Sequence, residues 1–163
     1  MIIVKNSGYL YYKNLKFKCA LGKKGIKNKL KEGDKITPKG TYKISTIYYR
    51  ADRIKFLKTK LKKIIINKNM AWCNDPNHQL YNNPVLLPFK GSYEKLYRKD
   101  HVYDLVAVIN YNTKPIIKNK GSAIFLHLAK KNYSRTLGCI ALKKNDLIKL
   151  LKAINKNTKI YLN

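Results

Sequence analysis

Apolar and polar residues alternate along much of the chain, and this period of two predicts strands. Near the start, tyrosine and aliphatic residues alternate with lysine, which is typical of strands that leave one face exposed to solvent. The run from Tyr103 to Tyr111 is instead apolar on both faces and rich in β-branched residues, as a central strand requires. The clearest predicted strands are at residues 2–4, 9–12, 15–20, 103–111, 123–127 and 159–162.

One segment has the period of a helix. Residues 146–154 place four aliphatic side chains on one face, and Asn145 is predicted to cap the start of this helix. Residues 93–98 fit a helical turn, residues 74–88 fit a long loop, and residues 54–66 fit either a strand or a short helix. Many short strands with one late helix predict a single, mostly β domain across all 163 residues.

The chain carries 36 lysine and arginine residues against eight acidic residues, which gives a net charge of +28. A charge of this size attracts polyanions such as nucleic acids, anionic lipids and anionic wall polymers. However, only four of the 36 are arginine, and the lysines lie in every segment rather than in one cluster with aromatic residues. We therefore expect a weak association with anionic wall polymers or a membrane surface, and no specific nucleic-acid binding.

The first residues lack the features of a secretory signal peptide, and no apolar stretch approaches the roughly eighteen residues that span a membrane. From the residues alone, three alternatives stay open: the chain is cytoplasmic, it is exported by another route, or a leader has been removed from it. The three cysteines have no CxxC spacing, which argues against a disulfide framework or a zinc site. A bridge between Cys19 and Cys73 is left open, although we do not expect it, and we expect no metal or other cofactor.

The strongest chemical signal is a histidine and a cysteine in one stretch near the end of the chain. His127 ends a short apolar run, and Cys139 follows in a Thr-Leu-Gly-Cys segment. An imidazole near a thiol can accept its proton and activate the sulfur as a nucleophile, which would depress the thiol pKa if the two groups pair. Gly138 permits unusual backbone angles, so the amides of Gly138 and Cys139 can point at one spot and form an oxyanion hole.

Each of these residues also has a purely structural interpretation. A small free cysteine is commonly buried, and the alternation that places His127 on the same face as Phe125 fits a histidine in the core. His101, which lies between Arg98 and Asp104 in the sequence, is an alternative base or a residue beside the base. We favour His127 as the base.

Four segments occur in an informative order along the chain. They are EGDKITPKGTY from Glu32, WCNDPNHQLYNNPV from Trp72, YRKDHVYDLVAVINYN from Tyr97 and HLAKKNYSRTLGCIAL from His127. Together they resemble the L,D-transpeptidase catalytic domain, often called the YkuD domain, and in particular its short single-domain branch. The resemblance extends from about Val4 to Tyr161.

The resemblance implies a β-sandwich or a curled mixed sheet with a long loop that carries the cysteine. It also implies acyl transfer on peptidoglycan stem tetrapeptides, at the cell envelope or periplasm. Cys139 would attack the carbonyl of the diamino acid at stem position three, the terminal D-alanine would leave, and a side-chain amine of a neighbouring stem would take the acyl group. His127 would move the protons, and Gly138 and Cys139 would supply the oxyanion donors. Thr136 would order the loop and contact substrate.

Further residues are hypotheses for substrate binding. A guanidinium can grip a carboxylate through two hydrogen bonds, so Arg135 or Arg98 is expected to hold a stem-peptide carboxylate. Trp72 and Tyr111 are candidates to line the groove, although lone aromatic residues more often belong to the core. His101 is a further candidate there. We expect the protein to be a monomer.

The sequence departs from the family's common Ser/Thr-His-Gly-Cys pattern. Residues 136–139 are Thr-Leu-Gly-Cys, and apolar residues follow. The sequence therefore does not determine the identity of the acyl acceptor. Transfer to an amine, hydrolysis by water and release of an attached protein all proceed through the same acyl-enzyme. A hydrolase with the same Cys-His site is the first alternative, and a non-catalytic module that binds anionic polymers is the second.

Overall fold

The computed structural model describes residues 1–163 and contains fourteen strands and one helix. The strands are β1 (Ile2–Lys5), β2 (Tyr9–Tyr12), β3 (Leu15–Ala20), β4 (Ile26–Lys27), β5 (Thr37–Pro38), β6 (Gly40–Tyr49), β7 (Lys62–Ile65), β8 (Met70–Cys73), β9 (Pro84–Leu86), β10 (Tyr93–Lys95), β11 (Leu105–Ile109), β12 (Phe125–Leu128), β13 (Ile140–Leu142) and β14 (Lys159–Leu162). The helix α1 (Lys144–Ala153) lies between β13 and β14 in the sequence.

Most strands belong to one mixed sheet that closes on itself. Its order is β11-β12-β13-β3-β2-β1-β14-β6-β7, and β6 also pairs with β11. The ten-residue strand β6 makes this closure, since it pairs with β14 along its first residues and with β7 and β11 further on. The sheet therefore curls into a barrel-like form in which each strand from β11 to β6 has at least two neighbours.

Two hydrophobic clusters lie on the two sides of the strands that carry the site. The larger contains 27 buried residues, including three leucines of α1. Burying each leucine contributes roughly 1.5–3 kcal/mol, so the apolar face of the helix fixes it against the sheet. The smaller cluster has nine buried residues, among them Trp72, Tyr103 and Phe125. Because Phe125 begins β12, this cluster directly supports the strand on which His127 lies.

The prediction of a mostly β fold is confirmed, with a curled mixed sheet. Strands β1, β2, β3 and β14 agree with the predicted segments to within one residue. The helix begins earlier than predicted, at Lys144, and Lys143 occupies the cap position without a side-chain hydrogen bond. Asn145 lies inside the first turn, so the prediction that it caps the helix is wrong. The helix has ten residues and is neither long nor apolar enough to cross a membrane.

The helical turn predicted at residues 93–98 is wrong as well. Residues 93–95 form β10, which pairs antiparallel with β8 so that Glu94 lies opposite Trp72. Together with β9, these strands form a separate three-stranded sheet. Pairing with a neighbouring strand overrides local preference here, as is common in β proteins.

Candidate active site

Cys139 and His127 come together because β12 and β13 are parallel neighbours in the sheet. The register aligns Leu126 with Ile140 and His127 with Ala141. Cys139 precedes Ala141 by two residues, so strand alternation puts both side chains on the face that carries His127. The thiol and the imidazole are therefore diagonal neighbours on one face of the sheet.

This face borders a cavity of about 710 Å³, a size typical of ligand pockets in proteins. Cys139 and His127 both line it. Its charged lining comes from distant parts of the chain and consists of Lys29, Glu32, Glu94, Lys95, Arg98, Lys130 and Arg135. The cavity can therefore contact both negative and positive groups of a ligand.

The Cys139 thiol is held in its protonated form. Its sulfur donates a hydrogen bond to the Ala123 carbonyl at 3.1 Å and accepts one from the Phe125 amide at 3.4 Å. Burial, and next the charge of Glu94, raise the thiol pKa to about 12, while the Phe125 amide and the Lys29 charge act in the opposite direction. The sequence predicts a depressed pKa only for a thiol paired with imidazolium, and in this unpaired state desolvation raises the pKa instead.

His127 is a neutral base oriented by its own strand. Its Nδ1 lies 3.0 Å from the Leu128 carbonyl oxygen, which can only accept a hydrogen bond. Nδ1 therefore carries the hydrogen and Nε2 the lone pair. The ring is 7% exposed and packs edge-on against Tyr103, with 5.3 Å between ring centroids. Burial lowers the imidazole pKa to about 4, so the ring is unprotonated at neutral pH.

No hydrogen bond joins the Cys139 sulfur to the His127 ring. The two groups form a neutral pair rather than a thiolate–imidazolium ion pair. Transfer of the thiol proton to Nε2 therefore first requires the S–H group to leave the Ala123 carbonyl. Such a contact commonly tightens only when substrate is bound.

The accessibility of the three cysteines differs. All are free thiols, and Cys19 and Cys73 are buried, whereas Cys139 is partly exposed. Burial also raises the pKa of Cys19 to about 12, so pKa alone does not distinguish it from Cys139. The two cysteines differ in position, because Cys139 lines the cavity and Cys19 does not. No three side chains of histidine, cysteine, aspartate or glutamate are grouped as metal ligands.

The turn before Cys139 is fixed by Gly138 and a distant threonine. Gly138 has a φ of +145°, and a Cβ atom there would lie 3.0 Å from the Ile36 carbonyl oxygen, so both conformation and space favour glycine. The buried Thr37 Oγ1 donates to the Gly138 carbonyl at 2.8 Å and accepts from the Gly22 amide at 2.9 Å. The TPxG segment thus fastens the cysteine turn to the sheet, which explains why the two motifs occur together.

The two amides predicted as oxyanion donors differ in availability. Thr136 Oγ1 donates to the Cys139 carbonyl at 2.6 Å and accepts from the Gly138 amide at 3.1 Å. The Gly138 amide is thus occupied in this conformation, whereas the Cys139 amide donates no hydrogen bond. The Cys139 amide is the available donor, and Gly138 would have to exchange Thr136 for a substrate oxygen.

Comparison with known proteins identifies the family. The family model described as the L,D-transpeptidase catalytic domain, YkuD, matches residues 1–162. The chain belongs to the L,D-transpeptidase family. Its mostly β, curled mixed sheet is consistent with the fold of that family. No curated protein sequence matches the chain.

Three of the predicted substrate contacts line the L,D-transpeptidase cavity, namely Thr136, Arg98 and Arg135. The Arg98 guanidinium is held by Asp100 through hydrogen bonds of 2.9 and 2.6 Å and lies over the Tyr103 ring. Arg135 is exposed, donates to the Lys23 carbonyl at 2.8 Å and forms no ion pair. Arg135 is therefore the arginine whose charge is free for a carboxylate.

Three other predicted residues do not line this cavity. The exposed His101 is held by Asp104, with 2.7 Å between Nδ1 and Oδ2. Trp72 is buried in the smaller hydrophobic cluster, edge-on to Phe125 with 5.1 Å between ring centroids. Tyr111 lines a separate cavity of about 360 Å³. The structure therefore corrects their expected place in the groove, because ion pairing, core packing and chain topology put them elsewhere.

Sequence reasoning missed several cavity residues. Lys29 forms a buried ion pair with Asp34, which also accepts hydrogen bonds from three backbone amides. Burial alone would raise the pKa of Asp34, but Lys29 and these amides outweigh it and lower the pKa. Asp34 belongs to the GDKITP segment, which was a usable signal. Glu32 and Glu94 carried no comparable local signal, and Glu94 lies in the segment wrongly predicted as a helical turn.

Proposed function

We propose that the chain is a cysteine acyltransferase that acts on peptidoglycan stem tetrapeptides through a thioester acyl-enzyme. The observation that supports this proposal is one partly exposed cysteine and one neutral imidazole on the same sheet face, at a cavity of about 710 Å³. Membership of the L,D-transpeptidase family supports the substrate class. Cys139 is the nucleophile and His127 is the group that moves the protons.

Acylation begins when substrate fills the cavity and the thiol turns from the Ala123 carbonyl towards His127. Nε2 accepts the thiol proton as the sulfur attacks the carbonyl carbon of the stem diamino acid. The Cys139 amide donates to the developing oxyanion. The tetrahedral intermediate then collapses, the C–N bond to the terminal D-alanine breaks, and its amine takes the proton from Nε2. A thioester and a neutral His127 remain.

Release of the acyl group reverses these roles. An amine of a neighbouring stem attacks the thioester carbonyl, Nε2 accepts a proton from the attacking nitrogen, and the departing Cys139 sulfur receives that proton. Water in place of the amine would give a free acid and make the enzyme a hydrolase. The exposed guanidinium of Arg135 is suited to hold a carboxylate of the stem peptide. The net charge of +28 favours weak association with anionic wall polymers.

Incubation with purified muropeptides, followed by mass analysis of the products, tests this proposal. We expect loss of the terminal D-alanine from a tetrapeptide stem and, with an amine acceptor present, a new peptide bond to that acceptor. A free acid as the only product would assign the hydrolase instead. Cys139→Ala should remove both products, whereas Cys73→Ala, which removes a buried thiol away from the cavity, should retain them. No product from the unaltered protein, or full activity of Cys139→Ala, would contradict the proposal.

A further inference from the structure

Both glutamates of the chain line the candidate active-site cavity. The eight acidic residues include only two glutamates, Glu32 and Glu94. Glu32 lies in the segment before β5 and Glu94 lies in β10, so the fold brings them to the cavity from distant parts of the chain. We call these two residues the carboxylate pair.

The carboxylate pair has no cationic partner in a protein with 36 cationic side chains. Every ion pair in the structure uses an aspartate, namely Asp34, Asp52, Asp100 or Asp104. Asp75 and Asp146 also form no ion pair, but neither lines the cavity. Charge abundance would favour pairing of any accessible carboxylate, and buried or half-buried carboxylates are costly without a partner. The unpaired state of both glutamates at one cavity therefore points to a cation supplied by a ligand.

Each member of the carboxylate pair is positioned by a buried tyrosine. The Tyr81 hydroxyl donates to Glu32 Oε2, and the Tyr103 hydroxyl donates to Glu94 Oε1 at 2.6 Å. Both tyrosines are almost completely buried, so they hold the carboxylates in fixed places. The second oxygen of each carboxylate accepts no hydrogen bond. Each of these cavity-lining carboxylates therefore keeps one acceptor oxygen without a partner.

An independent observation concerns Ser122, which lines the same cavity. Ser122 is only 6% exposed. Its Oγ atom is buried and has no hydrogen-bond partner of normal geometry, and it is the one buried side-chain nitrogen or oxygen of this structure in that state. Ser122 acts as a weak hydrogen-bond donor that lowers the pKa of the Tyr81 phenol, although the contact falls outside normal hydrogen-bond geometry. Its Oγ lone pairs accept no hydrogen bond, so this hydroxyl is suited to receive a donor from a ligand.

The charges of Glu32 and Glu94 affect the pKa values of neighbouring groups, including the Cys139 thiol. Burial raises the pKa of Glu94, and the Glu32 charge acts in the same direction, while Tyr103 and Arg98 offset only part of the effect. The charge of Glu94 also raises the pKa of Cys139. A cation bound at the carboxylate pair would relieve both effects, because it would compensate a negative charge beside the nucleophile.

We propose that Glu32, Glu94 and Ser122 bind a primary ammonium group carried by the side chain of the stem diamino acid. This inference rests on the proposed function for its substrate. An ammonium group has three N–H donors, and the site offers three unpartnered oxygen acceptors, Glu32 Oε1, Glu94 Oε2 and Ser122 Oγ. The ammonium belongs either to the acyl donor or to the amine acceptor, and both sources share this chemistry. An acceptor would first pass one proton to a carboxylate of the pair, so that the nitrogen has a lone pair when it attacks the thioester.

A binding experiment on the Cys139→Ala protein tests the inference without turnover. The probes are a stem tetrapeptide with a free side-chain amine and the same peptide acetylated at that amine, compared by calorimetry. We expect acetylation to weaken binding by about tenfold or more, as for the loss of a charge-assisted hydrogen bond. This difference should vanish when Glu94→Gln or Glu32→Gln is added, since glutamine keeps an acceptor for tyrosine but loses the charge.

Asp146→Asn provides the matched control, because it removes the same charge from the first turn of α1, away from the cavity. The tenfold preference for the free amine should persist in this variant. Equal binding of both peptides by the Cys139→Ala protein would overturn the inference. So would an amine preference that survives both glutamine substitutions.

Turnover measurements on the active protein distinguish the two sources of the ammonium group. If it belongs to the acceptor, Glu94→Gln should lower the ratio of amide to free-acid product by about tenfold or more. If it belongs to the donor, the same variant should raise KM for D-alanine release by a similar factor. Unaltered product ratio and KM in both glutamine variants would overturn the inference. Absence of D-alanine release from the unaltered protein would contradict the proposed function alone, because the binding experiment does not depend on it.

Discussion

The cavity brings together two pairs of functional side chains that differ in origin and in charge. The catalytic pair, Cys139 and His127, comes from adjacent parallel strands and is neutral, with the thiol pKa raised to about 12 and the imidazole pKa lowered to about 4. The carboxylate pair, Glu32 and Glu94, comes from distant segments and has no cationic partner. In both pairs, burial disfavours the charged form of the side chains.

The two pairs reach electrical balance in different ways. The catalytic pair reaches neutrality internally, since a protonated thiol and an unprotonated imidazole together carry no charge. The carboxylate pair depends on tyrosine hydroxyls, which supply hydrogen bonds but no positive charge. The first pair is therefore complete before substrate arrives, whereas the second is completed by a cationic group of the substrate.

Loss of the base should have the largest effect on activity. His127→Ala should lower kcat/KM for D-alanine release by about 10²–10⁴, the usual contribution of a general base. His127→Asn should lose as much, although its amide can still donate to the Leu128 carbonyl as Nδ1 does. Steady-state release assays on both variants provide the measurement. Full activity in either one would remove His127 from the catalytic pair.

The second effect concerns the protonated thiol. With a pKa of about 12, the rate of Cys139 alkylation should rise about tenfold per pH unit from neutral pH upward, because only the thiolate reacts. Glu94→Gln should raise the rate at each pH, since the charge that raises the thiol pKa is removed. Iodoacetamide labelling with peptide mapping follows Cys139 separately from the buried Cys19 and Cys73. A plateau near neutral pH would instead reveal a thiolate–imidazolium pair.

Acid stability tests the neutral imidazole. Folding lowers the His127 pKa to about 4 from about 6.5 in an unfolded chain, so the unfolded state binds more protons between these values. The free energy of unfolding therefore has its full value above about pH 6.5. It falls by roughly 3 kcal/mol in total as the pH drops from about 6.5 towards 4. Urea unfolding of the native chain and His127→Asn at several pH values measures this. An identical pH dependence of both proteins would contradict a buried neutral His127.

The smallest expected effect tests the support of the cysteine turn. Thr37→Val keeps the side-chain shape but leaves the Gly22 amide and the Gly138 carbonyl without their buried partner. The free energy of unfolding should fall by about 2 kcal/mol, as measured by urea unfolding. Thr41→Val, on the exposed part of β6 and without a side-chain hydrogen bond, should change it by less than about 0.5 kcal/mol. Equal stability of the two variants would show that Thr37 does not fasten the turn.

The proximity of Cys139 and His127 could be predicted from the sequence because the two residues lie in one short stretch, whose strands β12 and β13 are neighbours in the sheet. The carboxylate pair could not, since its assembly depends on β10 pairing with β8 and on two tyrosines distant in the sequence. The same limit explains Trp72 and His101, whose core packing and ion pairing are tertiary facts. The direction of the Cys139 pKa shift could not be predicted either, because a histidine and a cysteine in one stretch suggest an ion pair, whereas desolvation is not visible in a sequence.

Acylation of Cys139 can be measured from the intact mass of the protein after incubation with a tetrapeptide donor, without an amine acceptor, and an acid quench. We predict an adduct equal to the donor peptide without its terminal D-alanine, mapped by peptide analysis to Cys139 as a thioester. His127→Asn should form it far more slowly, and Cys139→Ala should not form it. An adduct that persists in Cys139→Ala, or a chain that releases D-alanine without acylation of Cys139, would contradict the account.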